Sequence, residues 1–363
     1  MGRDATSWDE EEYRNSILYD REIETRTLFR TVFGSSFENP NAADTIVVAS
    51  SDGSIASYSI SSCINSTKSW SHLGGFAVAE PDCLIQAHDG PAYDAKFYGK
   101  GEDSLCGDEG QIQGWRWKEI ANSEGPVLAS ANQVEPVLDL ANPQHRGPWG
   151  ALSPIPENNA IAVNYQEKSQ IKMTFKGHTD YLHCIVTRSF SNQIITGSED
   201  GTAKIWDCRS GKCLQILEPN EKLNSKDLYC GVSCIAFDAN ESWLACGSGR
   251  SISIWNLPAW ESISQISTHA PIQDLLFEDN QILTVGAEPL LTRIDINGGV
   301  VSQIQYAPLS AFSVSLHPSG VVAVAAYGGL VDVISRKTGK KQGLTNQHGP
   351  EQEAQSQYTP GDI

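Results

Sequence analysis

Apolar residues along this chain recur at every second position in short runs, and the runs come in pairs around tight turns. Such alternation turns one face of each run toward a core and predicts β-strands, because successive strand side chains point to opposite faces. The clearest pair starts at Ile194-Ile195-Thr196-Gly197-Ser198, turns at Glu199-Asp200-Gly201 and ends at Ile205-Trp206-Asp207. Two alternating runs meeting at Asp-Gly are a β-hairpin signature. Weaker copies lie at residues 46–58 around Asp52-Gly53, 104–115 around Glu109-Gly110, 243–255 around Gly249-Arg250, 282–294 around Glu288-Pro289 and 321–334 around Gly328-Gly329.

The copies keep a common register. The large residues that close them, Tyr58, Trp115, Trp206, Trp255, Ile294 and Ile334, are 57, 91, 49, 39 and 40 residues apart. Taking the 91-residue gap as two periods gives six steps with a mean of 46, near the roughly 40–45 residues of a WD-type blade. A histidine opens three of the units at a nearly constant distance: His88 is 27 residues before Trp115, His178 is 28 before Trp206 and His269 is 25 before Ile294. A further strand precedes each of five hairpins, at residues 93–97, 182–186, 232–237, 272–277 and 312–316. A four-stranded unit cannot cover its own faces and must stack on its neighbours, so the pattern predicts an all-β, seven-bladed WD40 β-propeller.

The third blade is the irregular one. Strands are expected at 149–153, 160–165 and 170–175, but neither a hairpin nor a tryptophan follows them. Three readings fit: an incomplete blade, a splice-like truncation, or a six-bladed ring with an irregular insert. At the N-terminus, Ser7 and Glu10 fit a capping box and predict a short helix over 8–21 within a tail of residues 1–22. The propeller itself is expected over 23–337, with a strand in 23–33 completing the last blade and fastening the ring. Residues 338–363, rich in Gly, Gln and Pro, are expected to be a disordered tail.

Charge narrows the function. The 363 residues include 26 Lys and Arg against 44 Asp and Glu, a formal net charge of -18. That balance opposes direct phosphate-backbone binding, so RNA is expected only indirectly, through other proteins. No apolar run is long enough to cross a membrane and no secretory leader is evident, so a non-secreted protein without membrane association is expected. Met1-Gly2 through Thr6 matches an N-myristoylation pattern, but the acidic run at Asp9–Glu12 would be repelled by anionic lipid. Nine scattered cysteines without metal-type spacing read as free thiols in a reducing compartment. Arg336-Lys337 through Lys341 is a basic cluster, either an import signal or a solubilising end.

Candidate chemistry centres on the clearest repeat. His178, Ser198 and Asp200 match the residue types of a catalytic triad, yet no nucleophile-elbow motif surrounds Ser198. The reading adopted is structural: His178, Ser198, Asp200 and Trp206 form one hydrogen-bonded set that satisfies the indole and the imidazole. A metal site from His178, His183 and Cys184 is opposed by alternation, since adjacent strand residues point to opposite faces. No signature for a cofactor, a metal or an enzymatic reaction is found, so no catalytic residue is assigned.

Several segments carry a more particular resemblance. ETRTLFRT at 24–31, HDGPAYDAKFY at 88–98, NPQHRGPWGALSP at 142–154, KGHTDYLHC at 176–184 and ILTVGAEPLL at 282–291 together resemble the THO complex subunit 6 family in its plant form. The resemblance implies a non-catalytic scaffold subunit of the nuclear THO/TREX assembly, which couples transcription and mRNA processing to mRNA export. It implies protein partners, among them the coiled-coil THO subunits. Residues 194–209, IITGSEDGTAKIWDCR, are also similar to the motif by which WD40 substrate receptors dock on the adaptor of cullin-4 ubiquitin ligases, here through Trp206, Asp207 and Arg209. Ala203 and Cys208 depart from that motif. This second resemblance implies a place in ubiquitin conjugation, in hormone or stress signalling.

Overall fold

The computed structural model describes residues 26–34, 44–65, 81–98, 103–107, 110–117, 128–129, 136–144, 146, 150–153, 155–163, 173–188, 190–219, 231–305, 310–329 and 331–335. Alternating runs become antiparallel strands here because each carries one apolar face, and the strands collect into six sheets. The first contains β1 (Leu28–Phe33), β2 (Thr45–Ser50), β3 (Ser54–Ser59) and β4 (Cys83–Gln86), with a short helix α1 (Ile60–Asn65) after β3. The second contains β5 (Asp94–Tyr98), β6 (Asp103–Gly107), β7 (Gln111–Arg116) and β9 (Leu138–Ala141). Between β7 and β9 the chain sends out β8 (Leu128–Ala129), which adds to β4 in parallel.

The later sheets follow the same antiparallel order. The third is β10 (Leu182–Arg188), β11 (Gln193–Ser198), β12 (Ala203–Asp207) and β13 (Cys213–Leu217). The fourth is β14 (Val232–Phe237), β15 (Trp243–Ser248), β16 (Ser251–Asn256) and β17 (Glu261–Ser267). The fifth is β18 (Ile272–Glu278), β19 (Gln281–Gly286), β20 (Leu290–Asp295) and β21 (Val300–Gln305). The sixth has β22 (Ala311–Leu316), β23 (Val321–Ala326) and β24 (Val331–Ser335).

Each sheet is stabilised by the next. Val47, Ala49 and Ile55 share a core with Ala95 and Trp115, joining the first and second sheets. Leu28, Ile46 and Val48 pack on Ala323, Val331 and Val333 of the sixth, with Ile60 and Cys63 of α1. Similar cores join third to fourth, fourth to fifth and fifth to sixth. The inner strands converge on a channel of about 650 Å³, and five of them, β1, β10, β14, β18 and β22, carry a bulge near their start. The unpaired bulge residues Phe29, His183, Ser233, Gln273 and Phe312 all line that channel. A bulge re-aims a side chain while leaving the rest of the ladder in register. The arrangement is that of a β-propeller.

Two sequence expectations change. β1 is the inner strand of the first sheet, paired with β2 from Leu28↔Ser50 to Phe33↔Ile46, rather than the outer strand of the last. Its alternation fits β2 because Leu28 thereby enters the core shared with the sixth sheet, whereas the sixth sheet itself has three strands among the described residues. The ends of the ring still meet, through the bridge Thr27↔Tyr327 and the bond from Gly328 N to Arg26 O.

The second change concerns the third blade. The described residues form six sheets, and among them no shared core joins the second to the third. Among the described residues, the strands expected at 149–153 and 160–165 reduce to the single bridge Arg146↔Leu152 and an irregular run at 155–163; the described part of 170–175 also carries no strand. Pro143 and Pro156 cannot donate to a ladder where the described chain enters this stretch. Asparagines bond instead. Asn158 donates to Gln111 O at 3.1 Å on one side, and Asn159 donates to Leu182 O at 3.0 Å on the other. The run at 155–163 thus spans the gap between the second and third sheets. The expected N-terminal helix, the basic cluster at 336–341 and the C-terminal tail lie outside the described residues.

Candidate functional site

The β11–β12 hairpin is tight because Gly201 takes a φ of 82° in the turn, a conformation that glycine adopts without steric cost. Antiparallel pairing then sets Ile194 opposite Trp206 and Thr196 opposite Lys204, on one face of the sheet. Ala203 and Ile205 point the other way, into the core shared with the fourth sheet. On the first face, Trp206 is buried and its indole N–H donates to Thr196 Oγ1 at 2.8 Å. The same hydroxyl lies 2.8 Å from His178 Nε2, and His178 Nδ1 lies 2.8 Å from Asp200 Oδ2. Thr202 donates to Asp200 Oδ1 at 2.6 Å, and the Thr179 and Thr202 N–H groups bond the same carboxylate.

The side-chain chain is therefore Asp200–His178–Thr196–Trp206. It contains three of the four residues expected from sequence, and Thr196 takes the place assigned to Ser198. The reason is distance along the strand. Trp206 sits opposite Ile194, so its indole reaches the residue two positions on, while Ser198 is two further still at the strand end. Fully buried Ser198 instead donates to Asp180 O at 3.2 Å and accepts from Asp200 N at 3.1 Å. Thr196 was within reach of sequence reasoning, because β-alternation puts it on the tryptophan's face.

Electrostatically, burial alone would raise the Asp200 carboxyl. Hydrogen bonds from Thr202 and His178, and from the Thr179 and Thr202 amides, outweigh it and hold the group well below the usual carboxylate range. Both imidazole nitrogens are engaged by Asp200 and Thr196, and the Ser198 hydroxyl donates to a backbone carbonyl. This arrangement locks a hairpin; it does not set a base against a nucleophile. His183, the extra residue of the β10 bulge, and Cys184 diverge: His183 Nε2 meets Glu199 Oε2 at 2.5 Å, while Cys184 Sγ turns toward Val232 O. Among the described residues no group of three or more His, Cys, Asp or Glu side chains is placed to hold a metal ion.

The three adaptor-motif residues separate at the rim. Trp206 is buried. Asp207 caps its own turn, accepting from Arg209 N at 3.2 Å, Ser210 N at 3.1 Å and Ser210 Oγ at 2.6 Å, and the Ser210 hydroxyl leads in lowering its pKa. Arg209 alone of the three has an exposed side chain.

A second set of polar residues, not anticipated from sequence, fastens the sheets around the channel. Arg30 on β1 reaches Asp94 on β5 at 3.1 Å and Asp274 on β18 at 3.2 Å. Asp94 Oδ2 also accepts from Ile161 N at 2.7 Å, and Asp274 Oδ2 accepts from Val314 N at 2.9 Å. Each carboxylate thus clips one sheet to the segment beside it. Desolvation would lower the Arg30 pKa, but Asp94 and Asp274 carry it above its ordinary value. Lys96 moves the other way, through desolvation and then the nearby Arg30. Nothing in the spacing of residues so far apart in sequence announces this cluster.

Comparison with known proteins agrees with this geometry. The family model described as WD domain, G-beta repeat, matches residues 169–207 and 211–256. The chain is 51% identical over 361 residues to THO complex subunit 6 of Arabidopsis thaliana, covering 93% of this chain and 96% of that protein. It is 24% identical to THO complex subunit 6 of Homo sapiens over 73% of this chain and 76% of that one. Among solved structures, the WD40 beta propeller domain of Doa1 superposes with a TM-score of 0.60 over 86% of this chain and 98% of that one, at 14% identity. That last likeness is one of fold.

Proposed function

Because the chain belongs to the THO complex subunit 6 family, we propose that it is a non-catalytic scaffold subunit of a nuclear THO complex, serving the coupling of transcription and mRNA processing to mRNA export. The observation that carries this is the 51% identity spread over nearly the whole of both chains. The site chemistry supports it: polar groups around Trp206 and Arg30 bond one another and hold sheets in place, leaving the surface for binding. With a net charge of -18, the subunit grips protein, and RNA is reached through other subunits. The test is reconstitution with recombinant THO subunits. Stoichiometric co-elution in size-exclusion chromatography is expected, and elution of the chain apart from every THO subunit would refute the proposal.

A second reading, docking on the cullin-4 ligase adaptor, is favoured by one observation, the exposure of Arg209 at the end of a capped turn. There a guanidinium can meet a partner carboxylate. Arg209→Ala is then expected to lose the purified adaptor while Arg188→Ala, which removes a residue already bonded to Gln193 and Glu241, does not. Retention of the adaptor by Arg209→Ala would end this reading.

A further inference from the structure

Between the second and third sheets, one face of the third sheet carries exposed apolar side chains. On the third sheet, the face opposite the shared core carries Trp206, Lys204 and, paired with Lys204, Ile216. Phe175 and His178 cover the indole, with ring centroids 5.6 and 6.1 Å from it. Farther out, apolar side chains are exposed. Leu214 and Ile216 on β13 are 51% and 49% exposed. Deeper in the same gap, a cavity of about 450 Å³ is lined by Ile155, Tyr181 and Leu182, and these three are exposed as well. It shares Glu157, Tyr181 and Cys184 with the channel, so the two spaces adjoin.

β13 is also the outermost strand of its sheet, and no described strand pairs with its outer edge. Such an edge is a template for another strand. The molecule uses one itself, where β4 accepts β8 through Leu84↔Leu128 and Ile85↔Ala129. β21 is likewise outermost, but charge separates it from β13. Arg209 and Lys212 are exposed in the turn that leads into β13, and Lys204, paired with Ile216, donates to Gly177 O at 2.6 Å beside exposed Lys176, so cations border the strand on a chain of net charge -18. Asp207 in the same turn is engaged by Ser210 and the turn amides, and Glu218 lies past the strand's end. On β21, the exposed Val300 and Val301 have no such cationic border among the described residues, and nearby Arg293 is paired with Glu278 at 2.7 Å.

The geometry points to β13 as a docking edge for an extended acidic segment of a partner polypeptide. The segment adds a strand to β13, lays apolar residues beside Leu214 and Ile216 toward the gap, and sets its carboxylates against Lys176, Arg209 and Lys212. The inference rests on the chain being a protein-binding subunit and adds where it binds and what chemistry it selects.

The test pans a random-peptide library displayed on phage against the full chain, then measures the best peptide by fluorescence anisotropy. Enriched sequences are expected to alternate apolar with acidic residues. Their affinity is expected to fall at least about tenfold in Leu214→Asp/Ile216→Asp and to stay within about twofold in Val300→Asp/Val301→Asp, with both variants keeping wild-type circular dichroism. Failure to enrich any sequence, enrichment of basic sequences, or equal loss in the two variants overturns the inference. The outcome is separable from THO membership. A chain that joins recombinant THO subunits but shows no such peptide binding refutes the docking edge alone, and the reverse refutes THO membership alone.

Discussion

The third and fourth sheets are neighbours built from the same repeat, and they hold their tryptophans differently. In the fourth, both faces lie in shared cores, with Leu244 and Cys246 in one and Ile252 and Ile254 in the other. Its Trp255 needs only one local bond, from the indole N–H to Ser253 Oγ at 3.0 Å. The third has a shared core on one face, and on the other Trp206 is tied through Thr196 and His178 to Asp200. Apolar burial on two sides makes a polar lock dispensable. On the face of the third sheet where the described residues form no shared core, the lock holds the tryptophan in place.

The comparison breaks most readily in the core. Ile254→Ala is expected to cost about 2–5 kcal/mol in urea unfolding, because the fully buried side chain leaves a cavity between two sheets. Ile216→Ala, the same truncation on the open face of the third sheet, is expected to stay within about 0.5 kcal/mol. Equal costs would show that the gap is as well packed as the ring.

Next in size is the lock. Thr196→Val removes the one hydroxyl that serves both Trp206 and His178, at about 1–3 kcal/mol for each group left unpaired. Ser253→Ala, which unpairs one indole, is expected to cost about 1 kcal/mol. If thermal melts rank these two variants the other way, the lock does not secure the third sheet. Ser198→Ala is expected to cost about 1 kcal/mol of stability, read as a lower melting temperature, since its buried hydroxyl joins Asp180 O to Asp200 N.

The smallest effect concerns pH. The Asp200 carboxyl is depressed in the folded chain, so the unfolded chain binds its proton first as pH falls. Its contribution is fully present above about pH 4 and is lost as acid approaches the lowered folded value. Asp200→Asn should therefore be less stable than wild type at neutral pH and show a flatter decline below about pH 4 in denaturant titrations. An unchanged acid slope would remove Asp200 from the account.

Much of the fold was legible from residues 194–207 alone, because alternation, an Asp-Gly turn and a terminal Trp specify a hairpin without reference to anything distant. His88 and Trp115 repeat the packing of His178 and Trp206, at 6.2 and 6.1 Å between centroids, as their matching offsets implied. The site was legible in part. His178, Asp200 and Trp206 were found because they recur in register, while Thr196 was missed because hydrogen-bond reach depends on which residue lies opposite the indole. The lack of a hairpin after the strands expected at 149–175 warned of an irregular blade, but not of what fills it.

By itself the sequence determined the strands, their period and the kind of ring they build, since each of these follows from local alternation and turn chemistry. Only the tertiary structure decided that β1 belongs to the first sheet, that Arg30 joins Asp94 and Asp274, and that residues 155–163 span a gap with asparagine side chains. Those outcomes depend on which segments meet across the ring, and a pairing between residues up to 244 positions apart leaves no periodic trace in the chain.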